Sequence, residues 1–236
     1  RQFVNLHRMP ERMHRNTSLD TASRLLIITL TLDPFATGLL VCCFGKATKI
    51  SQLLLDADKS YEATILLGTE TDSGDLTGTV VATADHFEGV SLEQVNAVLG
   101  QFRGPIQQIP PMFSALKRDG KPLYEYARQG IELERPPRDV IIHQLDLLDF
   151  SPRELRIHVH CSKGTYIRTL AQDIGRALGC YGHLTALRRT QVGPFSIEAS
   201  VELEALQNQS EPETKLIALA DLPDGLQLDN LKKETL

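Results

Sequence analysis

Residues 31–40, TLDPFATGLL, place one acid, Asp33, within a run of apolar and small residues. An ionised carboxylate is costly to bury unless a positive partner or several hydrogen-bond donors replace its water. Asp before Pro is also typical of a turn, because the Asp side chain bonds nearby amides and Pro fixes the next φ angle. Asp33 is therefore either a turn opener or a carboxylate held for chemistry, and its immediate neighbours leave both interpretations open.

Arg168 is a second candidate, at the start of a predicted helix. In residues 154–179, ELRIHVHCSKGTYIRTLAQDIGRALG, apolar and polar side chains alternate up to Cys161, which predicts a strand with one apolar face. After a turn at 162–165, apolar residues recur at helical spacing until Gly179. Arg168 lies one step off the apolar stripe, so its side chain can face a cleft beside the sheet; an ordinary surface position is the alternative.

Other stretches predict further elements of a mixed α/β fold. Residues 61–67, YEATILL, alternate with a period of about two, which is typical of a strand. Ser91 opens the capping-box pattern Ser-Leu-Glu-Gln, and apolar residues then follow on one helical face before the chain turns away at Gly104. Gly193 and Pro194 predict a turn between two short strands.

Metal and disulfide signals are weak. His158 and His160 stand two residues apart on one strand face, but no third ligand is near them in sequence, so exposed strand histidines are the favoured interpretation. The four cysteines form neither a C-x-x-C pair nor a disulfide framework, which favours a reducing compartment.

Composition favours a globular protein with a substantial core. The 236 residues are 42% hydrophobic and 23% charged, and no apolar run approaches the roughly 20 residues of a membrane span. Residues 1–15 are basic but lack an apolar signal core, so no secretory leader is expected, although a transit peptide is conceivable. We therefore expect a soluble, cytoplasmic protein, with an organellar location still open.

Charge is unevenly distributed along the chain. The net charge is −5, yet residues 101–190 contain 14 Lys or Arg against 9 Asp or Glu, a local excess of +5. A basic region on an acidic protein can attract a polyanion, because binding responds to local potential more than to total charge. A mixed-charge surface exposed to solvent is the alternative interpretation.

Five segments, in this order and spacing, resemble the TruB family of tRNA pseudouridine-55 synthases. They are TLDPFATGLLVCCFGKATK, DADKSYEATILLGTETDSGD, IPPMFSALKRDGKPLYEYARQG, CSKGTYIRTLAQDIGRALG and GHLTALRRTQVGPF. The resemblance implies an α+β catalytic domain of the pseudouridine-synthase type, with a mixed or antiparallel sheet and flanking helices. It implies an isomerase that needs neither a cofactor nor a metal, since the reaction only moves a bond from N1 to C5 of uracil.

The resemblance also implies roles for particular residues. Asp33 matches the catalytic nucleophile, and Arg168 matches the cation that keeps it ionised. Tyr61 matches the aromatic residue that stacks on the flipped uracil and is a candidate for taking the C5 proton. Tyr166 and Leu187 match positions that line the same pocket. Without the resemblance, Tyr61 and Leu187 would be interpreted as ordinary strand and core residues.

The expected partner is tRNA, bound through its T-arm by a monomer without an obligate protein partner or a membrane. Five basic residues in or beside the matched segments are expected to contact phosphates, and the alternative for each is an ordinary surface charge. They are Lys117, Lys121, Arg128, Arg188 and Arg189.

Both ends of the chain depart from the family pattern. We expect an atypical segment at residues 1–30, a catalytic domain at 31–200, and a helical extension at 201–236 without the PUA-type RNA-binding domain. Residues 1–30 contain no DKPxG segment, and Ile28 stands where the family has a histidine associated with base flipping. Two rivals therefore stay open, namely a non-catalytic RNA-binding or RNA-folding protein on the same scaffold and a guide-RNA-dependent pseudouridine synthase.

Overall fold

A computed structural model describes residues 26–29, 32–85 and 87–226. The helices, apart from short 3-10 turns, are α1 (Ser51–Asp56), α2 (Leu92–Gln101), α3 (Leu123–Ala127), α4 (Ile167–Ala177) and α5 (Leu203–Gln207). The strands are β1 (Leu26–Thr29), β2 (Thr37–Gly38), β3 (Val41–Phe44), β4 (Lys59–Leu67), β5 (Thr69–Thr71), β6 (Val80–Thr83), β7 (Gly104–Gln108), β8 (Lys117–Arg118), β9 (Lys121–Pro122), β10 (Arg138–Ser151), β11 (Glu154–Cys161), β12 (Gly182–Val192) and β13 (Phe195–Ser196). The mixture of strands and helices confirms the predicted α+β class.

The chain divides into two compact units, of which the first contains the described residues up to Ala57 and from Arg189 onward. In this unit β1 and β3 pair antiparallel, and the end of β12 pairs with β13 across the predicted turn at Gly193 and Pro194. Its hydrophobic core draws on both stretches of the chain, because buried side chains from either side pack together. They are Leu39, Cys43, Ile50, Leu54, Val192, Leu222 and Leu226.

The second unit, Asp58–Arg188, is built on a sheet in which β11 lies between β4 and β10, with β7 beyond β10. These neighbours are antiparallel. Leu155, Ile157 and Val159 of β11 are fully buried, so one face of the sheet is core, as the alternating sequence predicted. Helix α4 contacts β4, and helix α2 contacts both β10 and α4.

Local sequence patterns correctly predicted an end of each of the two long helices. Ser91 caps α2 and accepts from the Gln94 backbone N–H, while the Gln94 side chain accepts from the Ser91 N–H, so the predicted capping box is confirmed. Helix α4 ends two residues before Gly179, whose φ of +74° lies in the left-handed region that a glycine stop favours.

Within the part of the chain that the structure describes, no helix has the length and apolar character needed to cross a membrane.

Candidate active site

Arg168 occupies the first turn of α4, and its side chain is only 5% exposed. Its Nη1 donates to the Ser73 carbonyl at 2.9 Å, and its Nη2 donates to the Phe113 carbonyl at 2.8 Å. The second of these bonds reaches the IPPMFSALK segment, far away in sequence. A planar guanidinium held by carbonyls from two segments has a fixed direction, which is what an electrostatic role in a site requires.

Asp75 balances part of this buried charge, with its Oδ2 atom 3.8 Å from Arg168 Nη1. The other oxygen, Oδ1, accepts from Ser73 Oγ at 2.9 Å, Thr77 Oγ1 at 2.6 Å and the Thr77 N–H at 2.9 Å. Gly74 makes the turn possible, because its φ is +74° and a Cβ there would lie 3.1 Å from Arg168 Cβ. The carboxylate is therefore oriented by its own loop towards Arg168.

This role of Asp75 was not predicted from the sequence. A signal was available in the spacing of Asp75 and Thr77, since an Asp side chain often bonds the amide two residues on. That signal predicts the turn but not the partner, which lies in a helix 93 residues later.

The predicted pocket residues of the second unit lie on three elements. Tyr61 is half-buried on β4, opposite Val159 of β11 and therefore on the core face of the sheet. Tyr166 is half-buried and immediately precedes α4, while Leu187 is buried on β12 at 7% exposure. Both tyrosines are therefore partly accessible to solvent, and their stacking role stays a prediction.

Asp33 belongs to the first unit, where its side chain is half-buried. The Ala36 N–H donates to the Asp33 carbonyl at 2.8 Å, so the chain turns at Asp33 and Pro34 as their sequence predicted. A turn at this position does not exclude chemistry, because catalytic side chains are often carried on loops that a rigid scaffold positions.

The predicted phosphate contacts separate into exposed and buried residues. Lys117 and Lys121 are exposed on the β8–β9 hairpin, and Arg128 and Arg188 are also exposed. Arg189 differs, because it is only 3% exposed and its Nε donates to the Leu39 carbonyl at 2.9 Å. We therefore keep the four exposed residues as candidates and assign Arg189 to the support of its own unit.

Arg118 was not singled out from the sequence, yet it is exposed on the same hairpin, paired with Lys121. Three cations thus project from one short hairpin. The Arg128 guanidinium lies 5.2 Å from the centre of the Tyr124 ring, a cation–π contact that limits its freedom.

A cavity of about 780 Å³ lies beside α4, and its lining includes Met112, Phe113, Asp173 and Arg176. Arg176 Nε donates to Glu70 at 2.9 Å, and burial raises the pKa of Asp173 to about 6, against the opposing effect of Arg176. None of the residues predicted for the site lines this cavity. It therefore does not define the predicted site.

His158 and His160 are half-buried on β11, and His160 Nδ1 lies 2.9 Å from Ser60 Oγ. In residues 26–29, 32–85 and 87–226, no group of three or more His, Cys, Asp or Glu side chains could hold a metal ion.

Comparison with known families gives two adjoining matches. A family model described as "TruB family pseudouridylate synthase (N terminal domain)" matches residues 28–167, and one described as "tRNA pseudouridylate synthase B C-terminal domain" matches residues 168–226. Together these matches extend over all the segments that carried the resemblance in sequence.

Relatives and solved structures agree with these matches. A tRNA pseudouridine synthase B of Bordetella avium (strain 197N) is 61% identical over 223 residues, which cover 92% of this chain and 91% of the relative. The protein of the same name from Bordetella pertussis (strain Tohama I) is 65% identical over 199 residues, covering 84% of this chain and 82% of the relative. A solved chain from a Cbf5-Nop10-Gar1 complex is 29% identical with a TM-score of 0.60, covering 81% of this chain and 50% of that one.

Proposed function

The chain belongs to the TruB family of pseudouridylate synthases, and we propose that it converts the T-loop uridine 55 of tRNA to pseudouridine. The class of enzyme, a TruB-type tRNA pseudouridine synthase and hence an isomerase, follows from relatives at 55–65% identity. The single observation that carries the proposal is the match to Bordetella avium tRNA pseudouridine synthase B over 92% of the chain. The choice of uridine 55 and of the T-arm is the finer part of the proposal.

The reaction is an isomerisation with balanced atoms. The bond from ribose C1′ to uracil N1 breaks, the base turns, and C1′ joins C5. The proton on C5 leaves, and N1 gains one, so no oxidant, reductant or second substrate is consumed. A carboxylate can serve this sequence as a nucleophile at the sugar or the base, or by stabilising a developing glycosyl cation. Asp33 is our candidate for that carboxylate.

We propose Arg168 as the ion partner that holds Asp33 in its charged form. Three contacts support a fixed electrostatic role: the bonds to the Ser73 and Phe113 carbonyls and the nearby carboxylate of Asp75. A cation that cannot move costs no reorganisation energy when charge develops next to it.

The target base must leave its stack before it can react. We assign Tyr61 to stacking on the flipped uracil and to the transfer of the C5 proton, with Tyr166 and Leu187 as lining. Lys117, Lys121, Arg128 and Arg188 are the proposed phosphate contacts; their exposure supports this assignment. We further propose that the enzyme works as a monomer in the cytoplasm, where its tRNA substrate is found.

The experiment compares the parent chain with Asp33→Asn on an unmodified tRNA transcript labelled with tritium at C5 of uridine. Release of tritium measures turnover, and mapping of the modified nucleotide identifies its position. Asn is chosen because it keeps the size of Asp and removes only its charge. RNA binding is measured in parallel, so that a loss of turnover can be distinguished from a loss of binding. Asp72→Asn is the matched control, since Asp72 is exposed and its Oδ1 accepts from the Thr79 N–H of its own loop at 2.9 Å.

We expect turnover by the parent and by Asp72→Asn at position 55, and its loss in Asp33→Asn with RNA binding retained. Modification at another position would refute the choice of uridine 55. Binding without turnover by the parent would favour the second candidate, a non-catalytic RNA-binding protein. That candidate rests on Ile28, which stands in β1 where the family has its histidine.

A further inference from the structure

We infer that Gln108 is a positioning residue, whose side-chain amide holds the backbone of Tyr166 and thereby the start of the helix that carries Arg168. Gln108 is the last residue of β7 and is only 2% exposed. Its Oε1 accepts from the Tyr166 N–H at 3.0 Å, and its Nε2 donates to the Tyr166 carbonyl at 3.3 Å. One amide thus satisfies both backbone groups of one residue, 58 positions away.

The contact lies at the point where α4 begins. Tyr166 is the N-cap residue, with an extended backbone (φ −101°, ψ 110°) and no side-chain cap on the helix. Its carbonyl also accepts the first helical bond, from the Leu170 N–H at 3.0 Å. A helix usually takes its cap from its own sequence, whereas at this start a buried amide from strand β7 bonds the N-cap residue.

A separate bond from Arg168 to Phe113 joins the same two stretches of chain a second time. The chain leaves Gln108 through Pro110 and Pro111, whose rings restrict the backbone, and reaches Phe113, whose carbonyl accepts from Arg168 Nη2 at 2.8 Å. Gln108 is therefore bonded to the N-cap residue of α4, and Phe113 is bonded to Arg168 in its first turn. A displacement at Gln108 changes the direction in which the Arg168 guanidinium is held.

The role that follows rests on the proposed function. Catalytic groups must be held to within a fraction of an ångström, and a displacement of about 1 Å can lower turnover about 10²-fold. Gln108 reaches the reaction only through Tyr166 and Arg168, so its removal should lower kcat while leaving KM for tRNA nearly unchanged. A residue that only stabilised the fold would not produce that split.

Gln107 provides a matched control on the same strand. Its Nε2 donates to Asp139 Oδ1 at 3.0 Å, and its side chain is exposed on the opposite face of β7. The substitutions Gln108→Leu and Gln107→Leu remove the same amide and keep a similar volume. Only the first leaves the N–H and the carbonyl of half-buried Tyr166 without their side-chain partner.

Gln108→Glu gives a second, independent readout. A protonated carboxyl can accept from the Tyr166 N–H and donate to its carbonyl as the native amide does, whereas an ionised carboxylate can only accept. Burial favours the neutral acid. Relative to the parent at each pH, turnover by Gln108→Glu should therefore rise as the pH falls from about 8 to about 6, at unchanged fold.

The test measures kcat and KM on tRNA transcript, together with amide hydrogen exchange at Tyr166 and Leu170. We expect Gln108→Leu to lose about 10²-fold in kcat with KM within about threefold, and to exchange both amides at least about tenfold faster. Gln107→Leu should match the parent in both measurements.

The inference is overturned if Gln108→Leu folds and keeps both its kcat and its slow exchange at Tyr166 and Leu170. If that variant fails to fold, the pH profile of Gln108→Glu decides, and a flat profile relative to the parent overturns the inference. An inactive parent would refute the proposed function instead, while the exchange measurement still decides whether Gln108 holds the start of α4.

Discussion

Asp75→Asn tests whether the buried carboxylate beside Arg168 stabilises the second unit and its site. The substitution is selective, because the Asn Oδ1 can still accept from Ser73 Oγ and from both donors of Thr77. What changes is the group facing Arg168, where an oxygen of the carboxylate becomes an uncharged NH₂. The variant therefore removes the ion pair and leaves the turn.

The expected loss can be worked from the geometry. At 3.8 Å, a pair of unit charges attracts by about 4 kcal/mol at an effective dielectric constant of about 20. Removing one partner of a buried pair typically costs about 3–5 kcal/mol, but this pair is too long for a direct hydrogen bond and the desolvation cost of the carboxylate is also relieved. We expect a net loss of about 2–3 kcal/mol, or about 5–10 °C in the midpoint of unfolding for a chain of this size.

The assay is urea unfolding and thermal unfolding at pH 7.5 of the parent, Asp75→Asn and the exposed control Asp72→Asn, together with kcat on tRNA transcript. Asp72→Asn should change stability by less than about 0.5 kcal/mol. We expect Asp75→Asn to lose at least about tenfold in kcat, because Arg168 keeps its charge but loses the ion pair that helps to fix the direction of its guanidinium. A change below about 0.5 kcal/mol with full turnover would refute the importance assigned to this pair.

Three further predictions test burial, packing and charge. Asp173→Asn should raise the free energy of unfolding by about 1 kcal/mol at pH 8, because it removes a charge that burial disfavours. This gain should shrink as the pH falls through 6, since the carboxyl of the parent then takes up its proton. Urea unfolding as a function of pH checks this, and a difference that stays constant with pH would contradict it. Gly175→Ala should destabilise the protein by about 2 kcal/mol despite the better helix propensity of Ala, because its Cβ would lie 2.3 Å from the Gly182 nitrogen. Gly100→Ala is the control, since no atom lies within 4 Å of its Cβ, and it should stabilise the protein by up to about 1 kcal/mol. Thermal unfolding measures both changes. Lys121→Ala should weaken tRNA binding and reduce its logarithmic salt slope by about 1, and an unchanged slope would remove it from the phosphate contacts.

The helices and strands that could be predicted are those whose defining sequence patterns span only a few residues. The Ser91 capping box, the alternation of β11 and the glycine stop of α4 each depend on hydrogen bonds or packing within one or two turns of chain. A sequence read in short windows contains that information completely. The roles of Asp33 and Tyr61 came instead from resemblance and remain predictions.

The contacts that could not be predicted join segments far apart in sequence. Asp75 is 93 residues from Arg168, and Gln108 is 58 residues from Tyr166. The burial of Arg189 could not be predicted for a related reason. Its neighbours in sequence are typical of a basic surface, but the fold buries this residue and its Nε donates to the Leu39 carbonyl. Burial of a charged side chain depends on which distant backbone groups meet it, and one sequence does not state this.

The burial of Arg168 affects the choice of variant with which the proposed catalytic roles can be tested. Its guanidinium supports the backbone at Ser73 and Phe113 in addition to any action on substrate, so Arg168→Ala removes two backbone bonds and leaves Asp75 buried beside a missing charge. Loss of turnover in that variant would combine a catalytic effect with a loss of stability of about 3–5 kcal/mol. Asp33 is half-buried on a turn in the other unit, and exchanging its carboxylate for an amide leaves the Ala36 bond to its carbonyl in place. The catalytic proposal is therefore tested most cleanly at Asp33, with Arg168 interpreted only alongside measured stability.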